Sequence, residues 1–156
     1  MTDHAGISAA NRKKVAEELG HLLADTYLLY LKTQNFHWNV EGPHFYSYHL
    51  LLEKQYEELA DAVDKLAERI RALGQPAPGS FAEFNKTACI KEATHGLKAP
   101  EMFKQLLAGH EILANCSREI FKVATKAGDE ATGDLLNERM AAHEKAAWML
   151  RSSLLL

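Results

Sequence analysis

Leu52-Glu53-Lys54-Gln55-Tyr56-Glu57-Glu58-Leu59-Ala60-Asp61-Ala62-Val63-Asp64-Lys65-Leu66-Ala67-Glu68-Arg69-Ile70-Arg71-Ala72-Leu73-Gly74 is an unbroken amphipathic run. Leu52, Tyr56, Leu59, Val63, Leu66, Ile70 and Leu73 alternate steps of four and three, which lines them up along one stripe of a long helix. Gly74 supplies its stop. An apolar stripe this regular, bordered by acids and bases, needs other helices to cover it, so the chain reads as all-α.

Working outward, Val15, Leu19, Leu22, Leu23, Thr26 and Tyr30 recur at helical spacing and predict an earlier helix from about Ser8 to Phe36. Asn39-Val40-Glu41-Gly42-Pro43 is a short connection into the central helix. Beyond Gly74 the chain takes a much longer path, opening Gly-Gln-Pro-Ala-Pro-Gly-Ser and ending near Pro100. That is enough chain to return along the whole length of a bundle, even with a short helix near Phe81 to Ala88. Pro100 and Glu101 open a third long helix facing Phe103, Leu106, Leu107, His110, Leu113, Ile120, Phe121 and Ala124 inward. Gly128 ends it, and Asp129 caps a fourth that carries Leu135, Leu136, Met140, His143, Ala147 and Leu150 on one face. Two tight connections flanking one long crossover specify the ferritin-like variant of the four-helix bundle. The expectation is one such domain over residues 1–156, with a short N-terminal tail to about residue 8.

A chain of 156 residues with 47% hydrophobic and 25% charged content suits a single core. No eighteen-residue apolar run appears, and Asp3, Arg12, Lys13, Lys14, Glu17 and Glu18 stand where a signal peptide needs an apolar segment, which predicts a cytoplasmic protein. Cys89 and Cys116 show no CxxC spacing and read as buried thiols. A formal net charge of −3 argues against a surface that holds nucleic acid by charge alone.

The chemistry lies on the central helix. His49 and Glu53 are four residues apart, as are Asp64 and Glu68, so each pair occupies one face about one turn apart. Eleven residues separate Glu53 from Asp64, so the pairs point the same way but stand about 16 Å apart along the axis. One ion cannot touch both in one chain. If the same helix of a second subunit packs antiparallel across a two-fold axis near residues 58 to 59, each His49 and Glu53 faces the partner's acidic pair, and two identical sites form. His37, at the end of the first helix, can join the histidine half. Imidazole mixed with carboxylate suits iron better than calcium or magnesium.

His37-Trp38-Asn39-Val40, then Gly42, Phe45, His49, Glu53 and Asp64-Lys65-Leu66-Ala67-Glu68-Arg69-Ile70, resembles the signature of the Dps family, the starvation-induced mini-ferritins. The likeness extends to the closing Glu144-Lys145-Ala146-Ala147-Trp148-Met149-Leu150-Arg151-Ser152. It implies a homododecamer of tetrahedral symmetry built from two-fold dimers, with iron ligated by His37, His49 and Glu53 of one subunit and Asp64 and Glu68 of another. Many family members carry aspartate where this chain has Glu53. Trp38 resembles a family tryptophan that passes an electron and traps radicals; the alternative is a core aromatic. Asp129, Asp134 and Glu138 match the acidic pores through which iron enters; the alternative is solvated acids at a helix start.

The function this implies is a ferroxidase that oxidises ferrous iron, preferably with hydrogen peroxide, stores the ferric mineral in the shell and so limits oxidative damage. The rival is a nucleoid protein that compacts DNA. It is disfavoured because Met1 to Ala10 contain no lysine or arginine, while Arg12, Lys13 and Lys14 sit at the helix start. Binding through these would be weak unless avidity raised it. Glu18-Leu19-Gly20-His21 and Glu92-Ala93-Thr94-His95 have the Glu-x-x-His spacing of single-bundle di-iron sites but lack the two additional helix glutamates. His95 is expected to end a short helix, and His110 and His143 to be satisfied core residues.

Overall fold

The structure is a computed structural model and describes residues 6–155; most of the expected N-terminal tail lies outside the described residues. Its elements are α1 (Ala9–Asn39), α2 (Phe45–Ala72), α3 (Phe81–Thr87), α4 (Ala99–Ala127) and α5 (Glu130–Ser153). These are the four long helices and the short crossover helix of a ferritin-like bundle. No helix among the described residues is long and apolar enough to cross a membrane. Ile7, at the tail's inner end, is buried, and its carbonyl accepts from Arg12 at 2.6 Å.

The direction of each helix follows from its cross-links. Arg69 bonds Asp129 at the far end of α2 and the start of α5, whereas Tyr48 near the start of α2 reaches the Ser153 carbonyl at the end of α5. These helices are therefore antiparallel. Because α4 and α5 form a hairpin, α2 and α4 run parallel, as the long crossover requires. At the hairpin, Gly128 adopts φ 70° and Asp129 N–H returns to the Ala124 carbonyl at 2.9 Å. A left-handed residue costs glycine least. The Asp129 side chain then accepts from Thr132 N–H at 3.0 Å and starts α5. Buried Asp25 of α1 pins the crossover by accepting from Cys89 N–H and Ile90 N–H at 2.7 and 2.8 Å, and the Lys32 ammonium donates to the Lys91 carbonyl. Burial raises the Asp25 carboxyl above its ordinary range, and those two backbone donors oppose the rise.

Leu19, Leu22, Leu29, Leu52, Leu59, Leu66, Phe103, Leu106, Leu113, Leu136 and Leu150 form the core. Gly109 lets α4 approach α1 closely: a Cβ there would sit 2.6 Å from a Leu29 methyl carbon. Tyr56 and Val63 of the central stripe, and Leu107, Phe121, Leu135 and Met140, are only half-buried. Three expectations need correction. Cys89 is exposed and Cys116 half-buried, because the crossover carries Cys89 on its outer side while its amide is tied to Asp25. His95 lies in a turn; the short helix has already ended at Thr87. The first helix runs to Asn39, so His37 and Trp38 belong to its last turn.

Polar groups bridge α2 and α5. Arg139 is 1% exposed and forks onto the Glu58 carboxylate, with its second nitrogen 3.0 Å from the other oxygen. Another Arg139 bond reaches His143 Nε2 at 3.2 Å, and His143 Nδ1 lies 2.9 Å from His110 Nδ1. Guanidinium only donates, so His143 Nε2 is the acceptor and its Nδ1 holds the proton it gives to His110. His110 therefore carries its own proton on Nε2. Burial, with the positive charge of Arg139, pushes the His110 imidazole down to about 3, and the same causes lower His143. An unfolded chain protonates His110 near 6.5, so between 6.5 and about 3 the unfolded state binds the extra proton and stability falls as pH drops. Denaturant midpoints from neutral pH down to about 5 should fall, with about 1.4 kcal/mol per pH unit as the ceiling for one site. His110→Asn should flatten the dependence; an unchanged acid slope in that variant would contradict the assignment.

Candidate metal centre

His37 and His49 are placed by a carbonyl that the end of α1 leaves unsatisfied and by a return bond to α2. The carbonyl of His37 lies in the last turn of α1, where carbonyls have no helical partner. His49 Nδ1–H supplies that partner at 2.8 Å, and His37 Nδ1–H returns a bond of 2.8 Å to the His49 carbonyl. The rings stack with centroids 3.8 Å apart and 14° between planes, with Tyr56 edge-on to His37 at 5.0 Å.

This reciprocal clasp settles the tautomers. A carbonyl can only accept, so each Nδ1 bears hydrogen and each Nε2 of the neutral ring keeps its lone pair. A histidine oriented through one nitrogen by a backbone carbonyl is the usual arrangement of a metal ligand. The structure thus brings His37 and His49 together. Glu53 lies one turn beyond His49 and is half-buried, while Asp64 and Glu68 are exposed further along the same helix. Among the described residues, no three His, Cys, Asp or Glu side chains come together as a group able to hold an ion.

Trp38 is 61% exposed, so the core-aromatic alternative does not describe it within this protomer. Asp129 is 2% exposed and is committed to the α5 cap and to Arg69, whose guanidinium lies 2.7 Å away. Asp134 is exposed, and Glu138 pairs with Lys65 at 2.9 Å. His110 and His143 are buried; His143 has both ring nitrogens engaged, whereas His110 Nε2 has no partner among the described residues. His21 is exposed on α1 and does not face the core.

A family model for the ferritin-like domain matches residues 16–155. The chain is 39% identical over 140 residues to the DNA protection during starvation protein of Brevibacillus brevis, covering 90% of this chain and 94% of that one. It is 37% identical over 142 residues to the protein of that name from Helicobacter pylori, covering 90% and 99%. The crystal structure of the Dps protein from Vibrio cholerae O1 matches with a TM-score of 0.94 and 34% identity, covering 99% of this chain and 97% of that one. This chain belongs to the Dps family.

Sequence reading of this Dps chain missed the Arg139–Glu58 pair and the burial of Gln55. The available signal was Arg139 four residues before His143, on the helix face read as apolar. It also left the α1–α2 clasp undetected, since side chain to carbonyl bonds leave no periodicity. Replacing His49 by Ala removes its ring Nε2 and the donor to the His37 carbonyl. Calorimetric titration of the assembled protein with Co2+ should show affinity lowered roughly tenfold or more; unchanged affinity would reduce the clasp to a helix fastener.

Proposed function

We propose that this Dps protein is a ferroxidase and iron store whose oxidation sites are each shared by two subunits of a dodecameric shell. The observation that carries the reading is the histidine clasp, which holds both rings through Nδ1 and leaves both Nε2 atoms clear of it, with Glu53 one turn beyond His49 and Asp64 and Glu68 about three turns further along the same rod. A two-fold neighbour laid antiparallel along α2 supplies the missing acids. The half-buried Tyr56 and Val63 and the exposed Trp38, Phe45 and Tyr46 offer apolar surface for such contacts.

Ferrous iron is the substrate. Imidazole and carboxylate hold it without filling every position, and the negative charge of Glu53, Asp64 and Glu68 favours the ferric product. With peroxide as oxidant, two ferrous ions each give one electron, the O–O bond breaks, and two protons complete two waters. No hydroxyl radical is released. The preference for peroxide over oxygen is part of this proposal, as is Trp38, next to His37, as the side chain that takes up a stray electron.

Of the acids proposed for iron entry, Asp134 is free to face a pore and Glu138 shares its charge with Lys65, whereas Asp129 serves by starting α5. DNA protection in the name of the relatives favours a second reading, in which the shell binds DNA. The lack of basic residues in Met1 to Ala10 leaves that to weak contacts repeated over many copies.

The test mixes anaerobic assembled protein with ferrous iron and then peroxide or oxygen, following ferric absorbance. Peroxide should give the faster reaction, and a His37→Ala, Asp64→Ala double variant should slow it by about two orders of magnitude or more. Equal rates in the two proteins would refute the site.

A further inference from the structure

Between α2 and α5, on a side of α2 other than the one carrying His49, Glu53 and Asp64, lies a cleft of about 610 Å3. That is a volume suited to a small organic ligand. Its walls are Leu50, Leu51, Ala142, Ala146 and Met149, and its innermost residues are polar: Gln55, 7% exposed, and His110, 1% exposed. Both amide atoms of Gln55 and Nε2 of His110 have no hydrogen-bond partner among the described residues. A buried donor left in this state is unusual, and a ligand or ordered water is the ordinary remedy.

The tautomer chain fixes what that ligand must offer. Arg139 gives to His143, His143 gives to His110, and His110 is left with a hydrogen on Nε2 that needs an acceptor. The Gln55 amide supplies further N–H groups, and its Oε1 is an acceptor that an ordered water serves. Among the described residues the one carboxylate lining the cleft is Glu58, and Arg139 already neutralises it. Lys54 and Lys145 line the cleft as exposed residues and take part in no ion pair among the described residues. Apolar walls, N–H donors at the inner end and unpaired ammonium groups outside are complementary to an acceptor-rich anion with a hydrocarbon body.

We propose that this cleft binds an amphiphilic monocarboxylate, its head taking hydrogen bonds from Gln55 and from His110 Nε2–H and its chain lying against Leu50, Leu51 and Met149. This site is separate from the iron chemistry and does not depend on it. Lys54 and Lys145 draw the anion in.

Calorimetric titration of the assembled protein with decanoate tests it, with decanol as the uncharged probe of equal length. Decanoate should bind saturably at about one molecule per chain, and decanol roughly tenfold more weakly or worse. Gln55→Leu should weaken decanoate to a similar degree. Ala146→Trp, which fills the cleft, should abolish binding while ferrous oxidation and assembly mass stay unchanged. No saturable binding, as when waters or a neighbouring subunit's side chain fill the cleft, would overturn the proposal. So would equal affinity for decanol, or decanoate binding that survives Ala146→Trp.

Discussion

Two hydrogen bonds, from each of His37 and His49 to the other's carbonyl, hold together the end of α1 and the start of α2. They satisfy a carbonyl that the end of α1 leaves open, they close the first hairpin, and they commit both imidazoles to one tautomer. Without that commitment the outward nitrogen of either ring could carry hydrogen and repel an ion. The connection that brings α1 and α2 together therefore also fixes the orientation of both imidazoles.

The bundle interior is poorly suited to hold a cation. Single-bundle di-iron sites place glutamate and histidine from several helices around a pair of cations. Here the corresponding interior holds Arg139, buried to 1% and locked onto Glu58, beside His110 and His143. A fixed guanidinium opposes a cation at close range, and its charge helps keep both histidines unprotonated. Glu53, half-buried, and Asp64 and Glu68, exposed, lie along α2 and take part in no ion pair among the described residues.

Much of the fold was legible in the sequence because it rests on periodicity and stop signals. Leu52, Leu59, Leu66, Ile70 and Leu73 are buried as their spacing required, and Gly128 and Asp129 perform the end and cap assigned to them. The long crossover announced itself by length and proline content. Less legible were contacts set by three-dimensional proximity alone. Cys89 could not be seen to face outward while its amide turned in to Asp25. Asp129 caps α5 as its position required, but its burial against Arg69, unlike a pore or solvated acid, had no sequence signal. Gln55 and Arg139 sit on helix positions whose burial depends on how far α5 stands from α2. Half-buried Tyr56 and Val63 belong to the apolar stripe by spacing yet border the ligand face, a distinction that needs the position of α1. Of the candidate residues, His37 and His49 meet within one protomer, whereas Asp64 and Glu68 stand apart from them on α2.

Complementation between two inactive variants measures that division directly. One variant loses the histidine half through His37→Ala and His49→Ala, the other the acidic half through Asp64→Ala and Glu68→Ala. Each assembled alone should fail to oxidise ferrous iron at the native rate. Co-refolded in equal amounts, random pairing makes half the dimers mixed, and each mixed dimer regains one complete site, so about one quarter of native sites should return. Activity that stays at the level of the separate variants, with mixed shells verified by mass, would contradict a site shared between subunits.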